Sequence, residues 1–216
     1  MRTRYPTNVL RMLILVAFVS SPFIPTASAQ QSATYEGKAA YPNFPSIGEK
    51  WMSKINPGRS LAELAIPGSH DAGALHCLET KGPDADNLTG MNGFFKREPL
   101  VAKTCCVCQS MSIAEQLKAG IRCLDIRLRA QNDGKLGLYH GIYYQYASLL
   151  TVVAECETYL KAQPTECIIM RVQIEGTADD GAPDAKTTFK KFIGSRQHLF
   201  YIENKIPTLA EQEAKS

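Results

Sequence analysis

Seven polar side chains in this sequence have the types and the spacing to carry out acid–base chemistry on an anionic group. They are His70, Asp71, Asp125, Arg127, His140, Gln173 and Glu175. An imidazole titrates near neutral pH, so one histidine can remove a proton while a second donates one. A guanidinium stays protonated and meets two phosphate oxygens in one plane. No metal-ligand spacing explains the set, so acid–base chemistry is the better interpretation.

Each of these residues also has an ordinary structural explanation. A lone histidine near a turn is more often a surface residue, and we interpret His76 and His198 in that way. Asp125 and Arg127, two residues apart on a strand, are often only a buried ion pair. Convergence favours a site, because the polar residues come from separate predicted strand ends.

Alternating apolar residues predict the strands that position this set. The predicted strands are residues 61–66, 121–130, 136–140, 167–174 and 199–202. In the second of them Asp125 and Arg127 share one face, while apolar residues share the other. We expect all the polar residues to lie at or near the carboxyl ends of four strands.

Three segments have helical patterns and lie between these strands. They are residues 112–119, 148–163 and 184–194, the first opening with the capping box Ser112 to Glu115. Strands that alternate with helices imply parallel pairing and an α/β class. A barrel and a doubly wound sheet both place ligands at the carboxyl ends, so the pattern alone leaves the topology open.

The N-terminus has the features of an export signal. Three arginines precede the apolar run of residues 12–19, and small residues at 27–29 suit signal peptidase. We therefore expect residues 1–29 to be a signal peptide cleaved before Gln30, and the protein to be secreted. A membrane anchor is the alternative, but the run is far shorter than the roughly 20 residues that span a bilayer.

The charge balance gives no reason to expect a nucleic acid partner. The leader holds three of the 24 Lys and Arg and none of the 21 Asp and Glu, so the mature chain carries equal numbers of each sign. The formal net charge of the whole chain, +3, therefore belongs to the leader.

All seven cysteines lie after the leader, three of them at positions 105, 106 and 108. Export favours a disulfide from Cys77 to this cluster, with one thiol left odd. A zinc knuckle is the weaker alternative, since no second Cys-x-x-Cys pair accompanies it. The cluster lies in a long Cys-bearing loop, residues 72–111, and residues 30–50 form a loose lead-in.

Four motifs follow one another along the chain. They are Leu64-Ala65-Ile66-Pro67-Gly68-Ser69-His70-Asp71, Gly120-Ile121-Arg122-Cys123-Leu124-Asp125-Ile126-Arg127, His140-Gly141 and Pro164-Thr165-Glu166-Cys167-Ile168-Ile169-Met170. Together they resemble the catalytic X-type half of phosphatidylinositol-specific phospholipase C of the small bacterial kind. The Cys-bearing loop does not resemble the best-known members.

The resemblance implies a distorted TIM barrel, of which residues 51–216 would form the N-terminal half to two-thirds. It also implies intramolecular phosphoryl transfer that releases diacylglycerol and inositol 1,2-cyclic phosphate. In this scheme His70 is the general base and His140 the general acid. Asp71 orients His140 and holds it protonated, Arg127 stabilises the phosphoryl oxygens, and Asp125 holds Arg127 or the inositol ring in place.

The resemblance has further implications for binding. Gln173 stands where family members often have a basic inositol contact, and Glu175 fits the acidic contact two residues later. We expect no cofactor, because Arg127 stands where related eukaryotic enzymes have a calcium ligand and disfavours Ca²⁺. We also expect His70 to lack an orienting carboxylate, since the family supplies that group from the second half of the barrel.

The expected partners are phosphatidylinositol or glycosylated anchors, and a membrane surface that is contacted transiently. Phe94-Phe95 followed by Lys96-Arg97 is the candidate docking loop, with a buried loop anchor as the equal alternative. Two other functions stay open: a catalytically inactive phosphoinositol- or membrane-binding module, and a disulfide-rich secreted interaction protein. The oligomeric state is not predicted.

Overall fold

A computed structural model describes residues 48–76 and 106–211, together with the backbone of residues 12–16. Seven strands lie in these residues. They are β1 (Met12–Val16), β2 (Gly68–Ser69), β3 (Cys123–Ala130), β4 (Leu136–His140), β5 (Tyr143–Ser148), β6 (Ile168–Ile174) and β7 (Phe200–Tyr201). The α-helices of the same residues are α1 (Ile113–Lys118), α2 (Leu149–Ala162) and α3 (Ala185–Gly194).

The strands form one mixed sheet in the order β5-β4-β3-β6-β1-β7, with β2 also paired to β3. β3 pairs in parallel with β2 and β6, whereas β3, β4 and β5 form an antiparallel meander. The expectation of parallel pairing throughout therefore fails for β4. A short turn, and not a helix, joins it to β3, and such a connection permits only antiparallel pairing.

Alternation along β3 and β6 separates the core from the polar face. Five side chains pointing to one side are fully buried under the helices, namely Leu124, Ile126, Leu128, Met170 and Val172, and the partly buried Ile174 packs beside them in register with Leu128. Residues of opposite parity, including Asp125, Arg127, Arg171 and Gln173, point to the other side. Burial of the apolar side thus fixes which face the polar residues occupy.

The three helices begin as the sequence predicts. Ser112 and Glu115 form a reciprocal capping box at α1, and the Ser148 hydroxyl accepts a hydrogen bond from Thr151 N at α2. Asp184 caps α3 by accepting from Thr187 N at 2.7 Å. Each cap satisfies amides of a first helical turn that lack helical partners.

A buried ion pair joins the amino ends of β3 and β6. The guanidinium of Arg122 lies 2.9 Å from Glu166 Oε2, and both side chains are 0% exposed. Glu166 also accepts hydrogen bonds from the backbone amides of Met52 and Ser53. The pair therefore fastens the 3₁₀ turn at Trp51–Lys54 to the end of the sheet opposite the predicted site.

One element prediction is wrong, and one strand is missing from the predicted elements. Residues 61–66 do not form a strand, because Ser60 and Glu63 make a capping box around a 3₁₀ turn at Leu61–Glu63. The sequence patterns do not predict β5, although residues 143–148 pair with β4 from Gly137 to His140, with a register shift between Gly137 and Tyr139.

The structure places part of the predicted signal peptide in the sheet. β1 pairs in parallel with β6 on one side and with β7 on the other. Cleavage before Gln30 remains a prediction, and it would remove this strand and leave both neighbours without it. Among the described helices, none is long and apolar enough to cross a bilayer.

Candidate active site

The ends of β2 and β4 meet along one edge of β3. β6 pairs with the other edge of β3 along residues 123–128. β2 pairs with residues 123–124 and β4 with residues 128–130, so both must lie on the edge that β6 leaves free. β2 runs parallel to β3 and β4 runs antiparallel, so their carboxyl ends point toward each other. His70 follows β2 directly and His140 is the last residue of β4. Both histidines therefore reach the middle of β3 from opposite directions.

The middle of β3 carries Asp125 and Arg127. The expectation that all polar site residues lie at carboxyl ends fails for these two, because β3 continues to Ala130 and turns back as a hairpin. The return strand brings His140 alongside them. Gly141, at φ +58°, permits the two-residue loop that ends this strand.

Arg127 is the centre of the cluster. Its guanidinium lies 2.7 Å from Glu175 Oε1, 3.5 Å from Asp71 Oδ2 and 3.4 Å from Asp125 Oδ2. Burial alone would lower the pKa of Arg127, but the three carboxylates outweigh it and raise the pKa. The group therefore stays charged and its position is fixed from three directions.

His70 lies between Asp125 and Arg127. Its Nδ1 is 3.2 Å from Asp125 Oδ2, and its Nε2 is 3.4 Å from Arg127 Nη2. A guanidinium only donates, so this contact requires an unprotonated Nε2 and places the proton on Nδ1. The expectation that His70 lacks a carboxylate partner is wrong, because β3 of the same half barrel supplies one. The side chain is 68% exposed and open to a ligand.

His140 is more enclosed than His70. Its Nδ1 lies 2.8 Å from the Cys106 carbonyl oxygen and 3.6 Å from Asp71 Oδ2. The close partner of this ring is thus a backbone carbonyl, and the carboxylate predicted to orient it stands farther away. Burial lowers the pKa of His140, and the nearby Arg127 lowers it further.

Asp71 is 2% exposed and has a left-handed backbone, φ +46°. Its Oδ2 has no hydrogen-bond partner within the described residues. Burial raises the pKa of Asp71 to about 8, although Arg127 opposes the shift. The free protein therefore favours neutral forms of both Asp71 and His140, whereas the predicted role of Asp71 requires an ionised carboxylate. That role stays a prediction.

The neighbouring strand β6 extends the polar face. Arg171 donates to Gln173 Oε1 at 2.9 Å and to Asp125 Oδ1, and Glu175 follows the strand directly. Arg171 was missing from the predicted site, although it has the same parity as Gln173. A basic side chain therefore does lie on this face, two residues before the position where the family pattern suggested one.

One group among the described residues has ligand atoms close enough for a metal ion. Those of Asp71, Cys108 and His140 lie within 4.8 Å of one another. His140 Nδ1, however, is already hydrogen-bonded to the Cys106 carbonyl oxygen. Burial also raises the pKa of the Cys108 thiol to about 12, which keeps the thiol protonated. The guanidinium of Arg127 also faces Asp71. These features disfavour a resident divalent cation.

Several other predicted features lie away from this cluster or outside the described residues. His76 and His198 are both exposed, as a surface interpretation requires. The disulfide from Cys77 and the docking loop at residues 94–97 fall outside the described residues. Cys108, Cys123 and Cys156 are free thiols.

The fold and the cluster together define a class: part of an α/β barrel with two histidines and an arginine at one strand. Comparison with known proteins agrees. The model of the family described as phosphatidylinositol-specific phospholipase C, X domain, matches residues 96–211. The chain belongs to this family, and its fold is the corresponding part of a TIM-barrel-like phosphodiesterase. The match begins after the segment that carries His70 and Asp71.

Individual relatives extend the similarity. The chain is 28% identical over 205 residues, 91% of its length, to a 1-phosphatidylinositol phosphodiesterase of Staphylococcus aureus. It is 34% identical over 77% of its length to the protein of the same name from Listeria monocytogenes. A solved structure of the S. aureus phosphatidylinositol-specific phospholipase C superposes with a TM-score of 0.58, at 30% identity over 76% of this chain and 49% of that one.

The chain spans about half the length of the curated relatives it matches, 56% of the S. aureus protein and 47% of the L. monocytogenes protein.

Proposed function

We propose that this protein cleaves phosphatidylinositol at the glycerophosphoinositol bond, releasing diacylglycerol and inositol 1,2-cyclic phosphate. The observation that carries the proposal is the meeting of two imidazoles and one guanidinium at the middle of β3. Family membership supports it, since bacterial relatives are named phosphatidylinositol phosphodiesterases.

His70 is the general base in this proposal. Its Nδ1 proton faces Asp125, which leaves the lone pair on Nε2. Nε2 takes the proton of the inositol 2-hydroxyl, and the hydroxyl oxygen forms a bond to the neighbouring phosphorus. Arg127, beside Nε2, neutralises the charge that develops on the phosphoryl oxygens.

His140 is the general acid. Its Nδ1 faces the Cys106 carbonyl, so the proton it transfers is on Nε2. That proton goes to the glycerol oxygen as the phosphorus–oxygen bond to glycerol breaks, which balances the proton taken by His70. A bound phosphodiester carries negative charge, and this charge raises the pKa of His140 toward the protonated form that donation requires.

The remaining polar residues bind and orient. Asp71 orients His140 once the substrate is bound, and Asp125 holds both His70 and Arg127. Arg171, Gln173 and Glu175 line the neighbouring strand, where they contact the inositol ring. Glycosylated phosphatidylinositol anchors share this headgroup and are the second proposed substrate.

The proposed location is extracellular, with transient contact to a lipid surface. The test is N-terminal sequencing of protein secreted by an expressing cell, which should begin at Gln30.

The activity is tested by measuring cyclic inositol phosphate released from phosphatidylinositol micelles by the purified chain. His70→Ala and His140→Ala should each lower the rate by about 10²- to 10⁴-fold. His198→Ala, an exposed histidine outside the cluster, is the matched control and should leave the rate unchanged. Arg127→Lys keeps the charge but loses the planar fork, and it should lower the rate as well.

Each alternative function predicts a different result. Headgroup binding without turnover identifies a phosphoinositol-binding module and contradicts the enzymatic proposal. If neither headgroup binding nor turnover is detected, the remaining function is a secreted interaction protein whose Cys-bearing loop is the functional part.

A further inference from the structure

The last residues of the Cys-bearing loop contact the backbone or side chain of both histidines. Gln109 Nε2 donates to the His70 carbonyl oxygen at 2.6 Å, and the Cys106 carbonyl oxygen lies 2.8 Å from His140 Nδ1. The resemblance to the family gave no role to these residues, since this loop does not follow the family pattern. Residues 106–109 are thus a link between the two ends of the site that neither motif includes.

The Cys106 contact determines which nitrogen of His140 carries the proton. A carbonyl oxygen only accepts, so Nδ1 must donate at this 2.8 Å separation. In the neutral ring Nε2 is then unprotonated, and in the charged ring the transferable proton is on Nε2. A hydrogen-bond acceptor at one ring nitrogen commonly fixes the tautomer and the orientation of a functional histidine in this way.

Backbone bonds hold the same segment against the turn that carries His70. The amides of Cys108 and Gln109 both donate to the Ala74 carbonyl oxygen, at 2.9 and 3.0 Å. At its other end, the buried side chain of Cys106 packs against Ile142 and Tyr143 in the loop after β4 and the start of β5. The segment therefore touches the His70 turn and the His140 hairpin at once.

We propose that residues 106–109 are a positioning element that fixes the orientation of both imidazoles, with Gln109 holding the His70 turn and the Cys106 carbonyl holding the His140 ring. This inference rests on the proposed function for its kinetic consequence. The segment is not catalytic, because its contacts are with the histidines and the turns that carry them. Displacing a reacting group by about 1 Å can cost roughly 100-fold in rate, so a small loss of orientation is measurable.

The kinetic test is substitution of Gln109. Gln109→Ala removes the donor, and Gln109→Glu keeps the shape while replacing the donor nitrogen with oxygen. Both should lower kcat by roughly 10- to 100-fold with little change in KM, because substrate contacts remain. Gln109→Lys restores a donor and should recover part of kcat. Gln197→Ala, an exposed glutamine in the 3₁₀ turn Gln197–Leu199, is the matched control.

A second measurement does not depend on activity. In ¹⁵N spectra of the histidine rings, the neutral His140 of the unsubstituted protein should be protonated on Nδ1. The Gln109 variants should show an added population of His70 protonated on Nε2, because the turn that aligns His70 Nδ1 with Asp125 is released, with thermal unfolding unchanged. Retention of both the full kcat and the Nδ1–H form of His70 in Gln109→Ala would overturn the inference.

The two proposals fail in distinguishable ways. An unsubstituted chain that releases no cyclic phosphate contradicts the proposed function, while the ring spectra still test the positioning role. A His140 ring protonated on Nε2 in the unsubstituted protein contradicts the positioning role whatever the activity.

Discussion

Asp125 Oδ2 lies 3.2 Å from His70 Nδ1, and the same oxygen lies 3.4 Å from Arg127 Nη2. One carboxylate therefore orients the proposed base and the proposed phosphate-binding group together. Burial raises the pKa of Asp125, but the hydrogen bond from Asp71 N and the charges of Arg127 and Arg171 outweigh it, so the pKa is lowered. Asp125 is thus ionised at neutral pH, as this role requires.

Asp125→Asn should lower kcat for cyclic phosphate release by about 100-fold. The amide cannot stabilise the imidazolium that His70 becomes, and it can present a donor to Nδ1 and so favour the wrong tautomer. Steady-state kinetics across a pH series measures the effect. A variant with unchanged kcat would show that this carboxylate does not orient the base.

Arg171→Gln should raise KM by roughly 10- to 100-fold and change kcat little. Hydrogen bonds to a charged donor contribute about 1.5–3 kcal/mol, and this one would be made equally before and during the reaction. Arg171→Lys keeps the charge, and its KM should lie between those of the unsubstituted protein and Arg171→Gln. Equal KM values for all three proteins would remove Arg171 from the headgroup site.

Asp71 should make the protein less stable as the pH rises. Its folded pKa of about 8 exceeds the ordinary value of 3.8, so the folded state binds the proton more tightly between these limits. The free energy of unfolding then falls as pH rises through this window, by up to about 1.4 kcal/mol per pKa unit. Asp71→Asn should flatten the dependence in urea unfolding at pH 5 and pH 8. If the free energy of unfolding of Asp71→Asn falls as steeply with pH, the dependence belongs to another titrating group.

His140 should titrate below its ordinary range in the free protein. Burial lowers its pKa from 6.5, so its protonated fraction is already falling as pH rises toward that value. Because the acid role needs the protonated ring, kcat/KM should decline on the alkaline side from below about pH 6.5. Titration of the His140 ring by NMR shows whether this alkaline decline belongs to His140. A pKa at or above the ordinary value contradicts the expectation.

Glu166→Gln should destabilise the fold by about 3–5 kcal/mol, because it leaves the buried guanidinium of Arg122 without its counter-charge. Glu157→Gln is the matched control, since Glu157 pairs with Lys161 at 2.7 Å on the exposed side of α2. An exposed pair of this kind contributes less than about 1 kcal/mol. Chemical denaturation measures the free energy of unfolding of both variants. Similar losses for the two would show that the buried pair of Arg122 and Glu166 contributes no more than an exposed one.

Sequence patterns predicted the elements whose signals are local. The alternation in β3 and β6, the capping box of α1 and the extents of α2 and α3 depend on neighbouring residues, and the structure confirms them. β5 was missed because its Tyr-rich segment has few apolar residues and follows a two-residue turn that carries one glycine. The apolar run of residues 61–66 predicts a strand where the structure has the 3₁₀ turn Leu61–Glu63, although Ser60 and Glu63 give the capping signal.

The structure brings the predicted site residues together in one cluster, but their individual contacts were not predictable from the sequence. The partner of His70 is known only from the register of β2 against β3, which no local pattern encodes. The partner of His140 is a backbone oxygen, which leaves no trace in residue type. Arg171 had the correct parity in β6, and that parity was the available signal.

β2 and β4 lie along the same edge of β3, so the distance between His70 and His140 depends on the register of these two strands against β3. Each residue along a strand adds about 3.3 Å and reverses the face to which the next side chain points. Deleting one residue within β4 would therefore shift the imidazole of His140 along β3 and turn it to the opposite face of β4, away from Asp71 and the Cys106 carbonyl. Insertions at the exposed tip of the hairpin, residues 132–134, leave the pairing intact. Length variation at the tip is thus compatible with a working pair, whereas variation inside the strand is not.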